Sequence, residues 1–213
     1  MLIATWNVNS IRTRLPQIEG WLKEASPNLL CIQETKVENS LFPKDFFENL
    51  GYKVSFHGQK SYNGVAIIST ENLDDVKIGL SSEISNDNEI TKLDQQARII
   101  SALVQGIRVI NVYVPNGSNL GSEKYNFKIA WLKSLNSYLK SVSSRDEDIC
   151  LLGDFNIALQ DKDMHNPQTN KDVIMASKLE RELLQIILNE SYLEDVFRVF
   201  ETETNNWSWW DYR

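Results

Sequence analysis

Three apolar runs of the sequence stop at side chains that carry oxygen donors. The first ends in Trp6-Asn7-Val8-Asn9, the second, Leu-Leu-Cys-Ile-Gln, in Glu34-Thr35-Lys36, and the third, Ile-Cys-Leu-Leu, in Gly153-Asp154-Phe155-Asn156. Asn7, Glu34, Asp154 and Asn156 offer carboxylate and amide oxygens and no sulfur. That donor set suits a hard divalent cation such as Mg²⁺ or Mn²⁺, which takes one or two protein carboxylates and leaves other positions to water and phosphate. Taken singly, each signal has a plain reading. A Glu after a strand is a common turn residue, Gly-Asp-x-Asn forms an Asx turn, and a lone Asn caps or turns the chain. Three independent strand ends with the same kind of ligand weigh in favour of a site.

Such a site needs elements that bring those ends together. Runs rich in Ile, Val and Leu alternate with segments of helical period, the pattern of an α/β protein. The expected strands are 2–6, 28–33, 53–57, 64–69, 98–104, 108–114 and 148–152. Several are continuously apolar, as strands covered on both faces are. Three helices are legible. One carries Leu15, Ile18, Leu22 and Ala25 on one face, with Pro16 in its opening turn, where proline is tolerated. Another runs from about Ser122 with Leu132, Leu135 and Leu139 at helical spacing. The last opens with Ser177-Lys178-Leu179-Glu180, a capping box, and is expected to turn Leu179, Leu183 and Ile186 inward. Residues 72–96 read as a surface loop or short edge strand, and 160–173 as a polar loop. In α/β architectures ligands collect at the carboxyl ends of strands, which is where the four donors fall.

The composition sets outer limits. A chain of 213 residues with no linker or repeat can bury one substantial core, so a single domain over 1–213 is expected. No apolar run approaches the roughly 20 residues that span a bilayer, and the start is not a leader peptide, so the expected location is cytoplasmic. Cys31 and Cys150, each inside an apolar run, read as reduced core thiols. A net charge of -7 argues weakly against nucleic-acid binding, but clustered metal-binding carboxylates would themselves make the total negative.

Together, TWNVNSIR, LLCIQETK, FHGQKSYNGVAI, RVINVYVPNG, LLGDFNIAL and WSWWDYR resemble the successive motifs of the exonuclease III and abasic-site (AP) endonuclease family, within the endonuclease-exonuclease-phosphatase superfamily. They occur in the family's order from end to end of the chain. The resemblance implies a four-layer α/β sandwich of two packed mixed sheets flanked by helices. It also implies a divalent-metal-dependent DNA phosphodiesterase of base-excision repair that uses Mg²⁺ or Mn²⁺. Its substrate would be double-stranded DNA with abasic sites or 3′ ends.

By that resemblance Asn7 and Glu34 are metal ligands, Tyr113 contacts the scissile phosphate, and Asp154 orients or deprotonates the attacking water. Asn156 binds the phosphate or helps hold the metal. Lys36, Lys60, Arg98 and Arg213 become candidate phosphate contacts, each also readable as a solvated surface charge. Trp209 and Trp210, with Trp207, become candidate walls for an abasic sugar, or else core aromatics.

Family members continue beyond the Trp-x-Asp-Tyr-Arg segment with further strands of the second sheet, an Arg-Ile-Asp and a Ser-Asp-His. The sequence ends at Arg213, and neither His57 nor His165 stands in that last motif. The reading is therefore an enzyme truncated at its C-terminus, with activity of this chain alone in doubt and a separately encoded C-terminal piece as one remedy. Two alternatives stand beside it: an impaired remnant that binds DNA or a partner, and a same-fold phosphodiesterase or phosphatase with a non-nucleic substrate.

Overall fold

A computed structural model of the protein describes residues 1–85, 88–145, 147–168, 172–204 and 206–208. In chain order the elements are β1 (Ile3–Asn7), α1 (Ile11–Ala25), β2 (Leu29–Gln33), α2 (Lys44–Asn49), β3 (Lys53–His57), β4 (Val65–Ser69), β5 (Asp74–Ile78) and α3 (Asn88–Leu93). There follow β6 (Ile99–Val104), β7 (Ile107–Tyr113), α4 (Glu123–Ser143), β8 (Asp148–Asp154), α5 (Lys178–Glu190) and α6 (Val196–Phe200). The strands form two four-stranded mixed sheets, ordered β1-β2-β4-β3 and β5-β6-β7-β8. With their flanking helices these make the expected α/β sandwich. Each sheet holds one parallel pair, β1 with β2 and β7 with β8. Parallel strands need a long crossover, which α1 and α4 supply in sequence.

The chain divides into two compact units, residues 1–114 with 144–155, and residues 115–143 with 156–213. The first unit contains both sheets. Strand side chains alternate between faces, so in β2 Leu30 and Ile32 point one way and Leu29, Cys31 and Gln33 the other. Leu30 and Ile32, with Ala66 and Ile68 of β4, pack on Ile11, Ile18 and Leu22 of α1 and Phe47 of α2. On the opposite face Leu29, Cys31, Val65 and Ile67 meet Ile100, Ala102, Val104 and Val109 of the second sheet. Both faces of β2 and β4 are thus apolar, which is why these strands read as unbroken runs in the sequence. Both cysteines are free, Cys31 buried and Cys150 partly so.

The stretch read as a loop or edge strand at 72–96 contains β5, at the edge of its sheet, and also α3. The short helices α2, α3 and α6, of six, six and five residues, fall below the length at which a helical period is legible.

In the second unit the α4 face carrying Leu132, Leu135 and Leu139 is buried as its spacing predicts, with Trp131 buried as well. The inward face of α5 is a correction. Leu179 and Ile186 are exposed, and the buried residues are Glu180, Leu183, Leu184 and Ile187. The capping box at Ser177 is present: its hydroxyl accepts from the Glu180 N–H, and the Glu180 carboxylate accepts from the Ser177 N–H at 3.0 Å. The other Glu180 oxygen meets the Lys128 ammonium of α4 at 2.5 Å, with both side chains sealed from solvent. That buried charge pair turns α5 so that Glu180, rather than Leu179, faces inward. None of the helices among the described residues is long and apolar enough to cross a membrane.

Candidate active site

The alternation of β1, β2, β7 and β8 places Thr5 and Asn7, Gln33, Asn111 and Tyr113, and Leu152 and Asp154 at successive inner-face positions, all running toward the same strand ends. Asn7 is the last residue of β1, Tyr113 the last of β7, and Asp154 the last of β8, opposite Tyr113 in the ladder. Glu34 follows directly on β2, whose Gln33 pairs with Asn7.

The side chains meet. Asn7 Nδ2 donates to Glu34 Oε1 at 2.8 Å and to Asp154 Oδ2 at 2.8 Å, so one amide joins two carboxylates from different sheets. Asn7 Oδ1 accepts from the Asn9 N–H at 3.0 Å, which fixes the amide's orientation. Lys36 Nζ pairs with Glu34 Oε2 at 2.8 Å and donates to Asn9 Oδ1 as well. The Tyr113 hydroxyl lies close enough to the Glu34 carboxylate for the two to influence each other's protonation. Burial pushes the Glu34 carboxyl up, but the hydrogen bonds from Lys36, Asn7 and Tyr113 outweigh it and hold it below its ordinary value. Burial, with the Glu34 charge beside it, pushes the Tyr113 hydroxyl far upward, so Tyr113 stays a protonated donor.

The backbone around Glu34 is tightly held. Glu34 and Lys36 both adopt left-handed conformations, with φ of 54° and 55°. Such conformations cost an L-residue energy and persist only where the surroundings dictate them. Here the N–H groups of Ser10 and Ile11 donate to the carbonyls of Glu34 and Thr35 at 2.8 and 3.1 Å. On the other side, the Thr35 and Lys36 N–H groups donate to Gly64 and Asn63 carbonyls at 3.1 and 2.8 Å. Gly64 has φ +95° and lies so close that a Cβ there would stand 2.0 Å from Thr35 Oγ1. Gly64→Ala is therefore expected to destabilise the fold by about 1–3 kcal/mol. A urea titration reads the effect; an unchanged midpoint would show that the turn has room to spare.

Arg98 lies inside the protein, 9% exposed. Its guanidinium donates to Gln96 Oε1 at 2.6 Å and the Tyr113 carbonyl at 3.1 Å, and stands 4.6 Å from the centre of the Tyr113 ring. A half-buried site containing two carboxylates thus has Arg98 beneath its tyrosine and Lys36 at its rim. Lys60 is exposed in the turn after β3. Asn156 belongs to the second unit, where its Oδ1 accepts from Asn116 Nδ2 at 3.3 Å and its carbonyl accepts from Lys128 Nζ at 2.7 Å. His57 ends β3, and His165 lies edge-on to the Trp207 ring at 5.1 Å. Trp209, Trp210 and Arg213 lie outside the described residues.

The sequence reading did not single out Gln33, Asn111, Gly64 or Arg98's role beneath Tyr113. Gln33 and Asn111 did leave a signal, as polar residues on inner strand faces otherwise filled by aliphatic ones. Glu34 and Asp154 could hold a cation, because their oxygens are hard donors and the pair of carboxylates needs positive charge; Asn7, whose Nδ2 now faces both, would join them through Oδ1 with its amide turned over. Among the described residues no group of three or more His, Cys, Asp or Glu side chains gathers anywhere.

Residues 4–213 match the Endonuclease/Exonuclease/phosphatase family. Exodeoxyribonuclease III of Haemophilus influenzae is 32% identical, the alignment covering 100% of this chain and 81% of that protein. Among solved structures, the Neisseria 3′ phosphatase NExo bound to product DNA hairpin superposes with a TM-score of 0.92 and 38% identity, covering 100% of this chain and 79% of that one. An AP endonuclease from Archaeoglobus fulgidus superposes with a TM-score of 0.89 and 39% identity over 100% and 79% of the two chains.

Proposed function

The chain belongs to the Endonuclease/Exonuclease/phosphatase family, and on that premise we propose that it is a divalent-metal-dependent DNA phosphodiesterase acting at abasic sites and 3′ ends. Its homology is to exodeoxyribonuclease III and AP endonucleases, which makes it by family a hydrolase of phosphodiester bonds. The observation that carries the finer reading is the single Asn7 amide shared by the Glu34 and Asp154 carboxylates, with Tyr113 beside Asp154 in the ladder. The family match runs across both compact units, which supports one domain over 1–213.

In this proposal Asn7, Glu34 and Asp154 hold Mg²⁺ or Mn²⁺. Bound there, such a cation would supply positive charge to polarise a phosphate oxygen and offset charge on the leaving oxygen. Asp154 accepts a hydrogen bond from the attacking water and takes its proton, and Tyr113 donates to a phosphate oxygen. Asn156 is assigned to the phosphate. Lys36 and Lys60 supply cationic contacts to the DNA backbone, and Trp209, Trp210 and Arg213 are assigned to the lesion-bearing strand. Arg98 holds Tyr113 from behind.

The test is incision of a duplex with one abasic site by the purified chain, with Mg²⁺ and with EDTA, alongside duplexes ending in a 3′ phosphate and a 3′ hydroxyl. Cutting that requires Mg²⁺ is the expected result. A folded chain that binds the abasic duplex yet leaves all three substrates intact would replace the hydrolase reading with a DNA-binding one.

A further inference from the structure

The four groups of the site come from two different sheets: Asn7 and Glu34 from the first, Tyr113 and Asp154 from the second. Their meeting therefore depends on how one sheet is set against the other. Apolar packing is non-directional and does not by itself select one setting. Along most of the shared interior the contacts are of that kind. Beside the Gly64 N–H, which donates to the Ala97 carbonyl at 2.9 Å at the rim, a buried side-chain polar contact interrupts them immediately inward of the site.

Gln33 and Asn111 face each other there at 1% and 0% exposure. Gln33 Nε2 donates to Asn111 Oδ1 at 2.7 Å, to Thr5 Oγ1 at 2.9 Å and to the Cys31 carbonyl at 3.3 Å. Asn111 Nδ2 reaches across to the first sheet, donating to the carbonyls of Ile32 at 3.0 Å and Ala66 at 2.8 Å. Ile32 and Ala66 are partners in the β2–β4 ladder, so Asn111 sits over one particular step of the first sheet. Sliding the sheets by a residue would leave both amides buried without partners, a large penalty that aliphatic residues would not suffer.

We infer that Gln33 and Asn111 form a positioning bridge for the active site, locking the two sheets in the setting that brings Glu34 and Asn7 against Tyr113 and Asp154. The inference rests on the reading of those four residues as the catalytic group. The chain connectivity is short on both sides: Gln33 precedes Glu34 directly, and Asn111 lies two residues before Tyr113 on the same strand face. Two buried amides that served stability alone could be replaced together by aliphatic residues with little loss. A register function would be lost in that same replacement. This difference separates the two roles.

The experiment compares the whole wild-type chain with Gln33→Leu, Asn111→Leu, the Leu/Leu double variant and Glu34→Ala. It reads thermal unfolding, Mn²⁺ affinity by electron paramagnetic resonance, and kcat and KM for incision. The single leucine variants are expected to unfold at lower temperature and to bind Mn²⁺ about 10-fold more weakly or worse. The double variant should recover to within about 5 °C of the wild-type midpoint. Its Mn²⁺ affinity should nevertheless stay about 10-fold or more weakened, with kcat lowered and KM little changed. A stable double variant with wild-type Mn²⁺ affinity would overturn the bridge's positioning role. If Glu34→Ala binds Mn²⁺ as wild type does, or the wild type binds none, the catalytic reading falls first and the inference falls with it.

Discussion

Replacing Glu34 with alanine is expected to lower Mg²⁺-dependent incision by a factor on the order of 10³, while the chain stays folded. The size of the effect follows from how many groups depend on that one carboxylate. It accepts from Asn7 at 2.8 Å and pairs with Lys36 at 2.8 Å, and its charge bears on the neighbouring Tyr113 hydroxyl. Among the described residues its loss removes one of two carboxylates at the proposed cation site and frees Asn7 and Lys36 from a shared acceptor. Groups that act as a unit in catalysis fail together, so the loss should approach that of the whole constellation. Glu34→Gln keeps the shape and one oxygen but not the charge, and should fall between wild type and alanine. Initial rates over a Mg²⁺ titration, with circular dichroism to confirm folding, measure the effect. Incision by Glu34→Ala within about tenfold of wild type would remove Glu34 from the mechanism.

Glu180→Ala is expected to cost about 3–5 kcal/mol of folding stability, a large share of what holds a domain together. Its partner Lys128 is fully buried, 2.5 Å from the carboxylate. Without Glu180 the ammonium loses that carboxylate, while its contacts to the Asn116 and Asn156 carbonyls, at 3.2 and 2.7 Å, carry no compensating charge. Removing one member of a buried pair leaves a charge in a low-dielectric interior, which costs more than the pair contributes. Glu180 also closes the capping box of α5 and accepts from the Met175 N–H at 3.1 Å, so the first turn of the helix loosens as well. Replacing both charges, Lys128→Met with Glu180→Leu, should recover much of the loss. Urea midpoints for the two singles and the double complete the cycle. A double variant no more stable than Glu180→Ala would argue that packing, and not the isolated charge, dominates.

Both residues behind these predictions have local signals, but the signals differ in kind. Glu34 stands out because it follows an apolar run of strand length, and the same holds for Asn7 and Asp154. Glu180 was legible as the last residue of a capping box, a pattern four residues long. Its partner was not, because nothing in the neighbourhood of Lys128 marks it as different from the other lysines of α4. The same limit produced the α5 correction: periodicity ranks Leu179 as a core residue, and only the buried pair shows why Glu180 takes that face.

Short-range regularities of the chain therefore determined every strand but β5, the long helices, the capping box and which strand ends carry oxygen donors. They act through backbone geometry and side-chain alternation, whose range is a few residues. The tertiary structure decided which ends meet, and it did so across long separations. Asn7 and Asp154 are 147 positions apart, and Gln33 and Asn111 are 78 apart. It also took Arg98, readable as a surface cation, into the interior beneath Tyr113. Local rules carry no information about such pairings, because they depend on how two sheets settle on one another. In this fold, that settling is what turns four separate strand ends into one site.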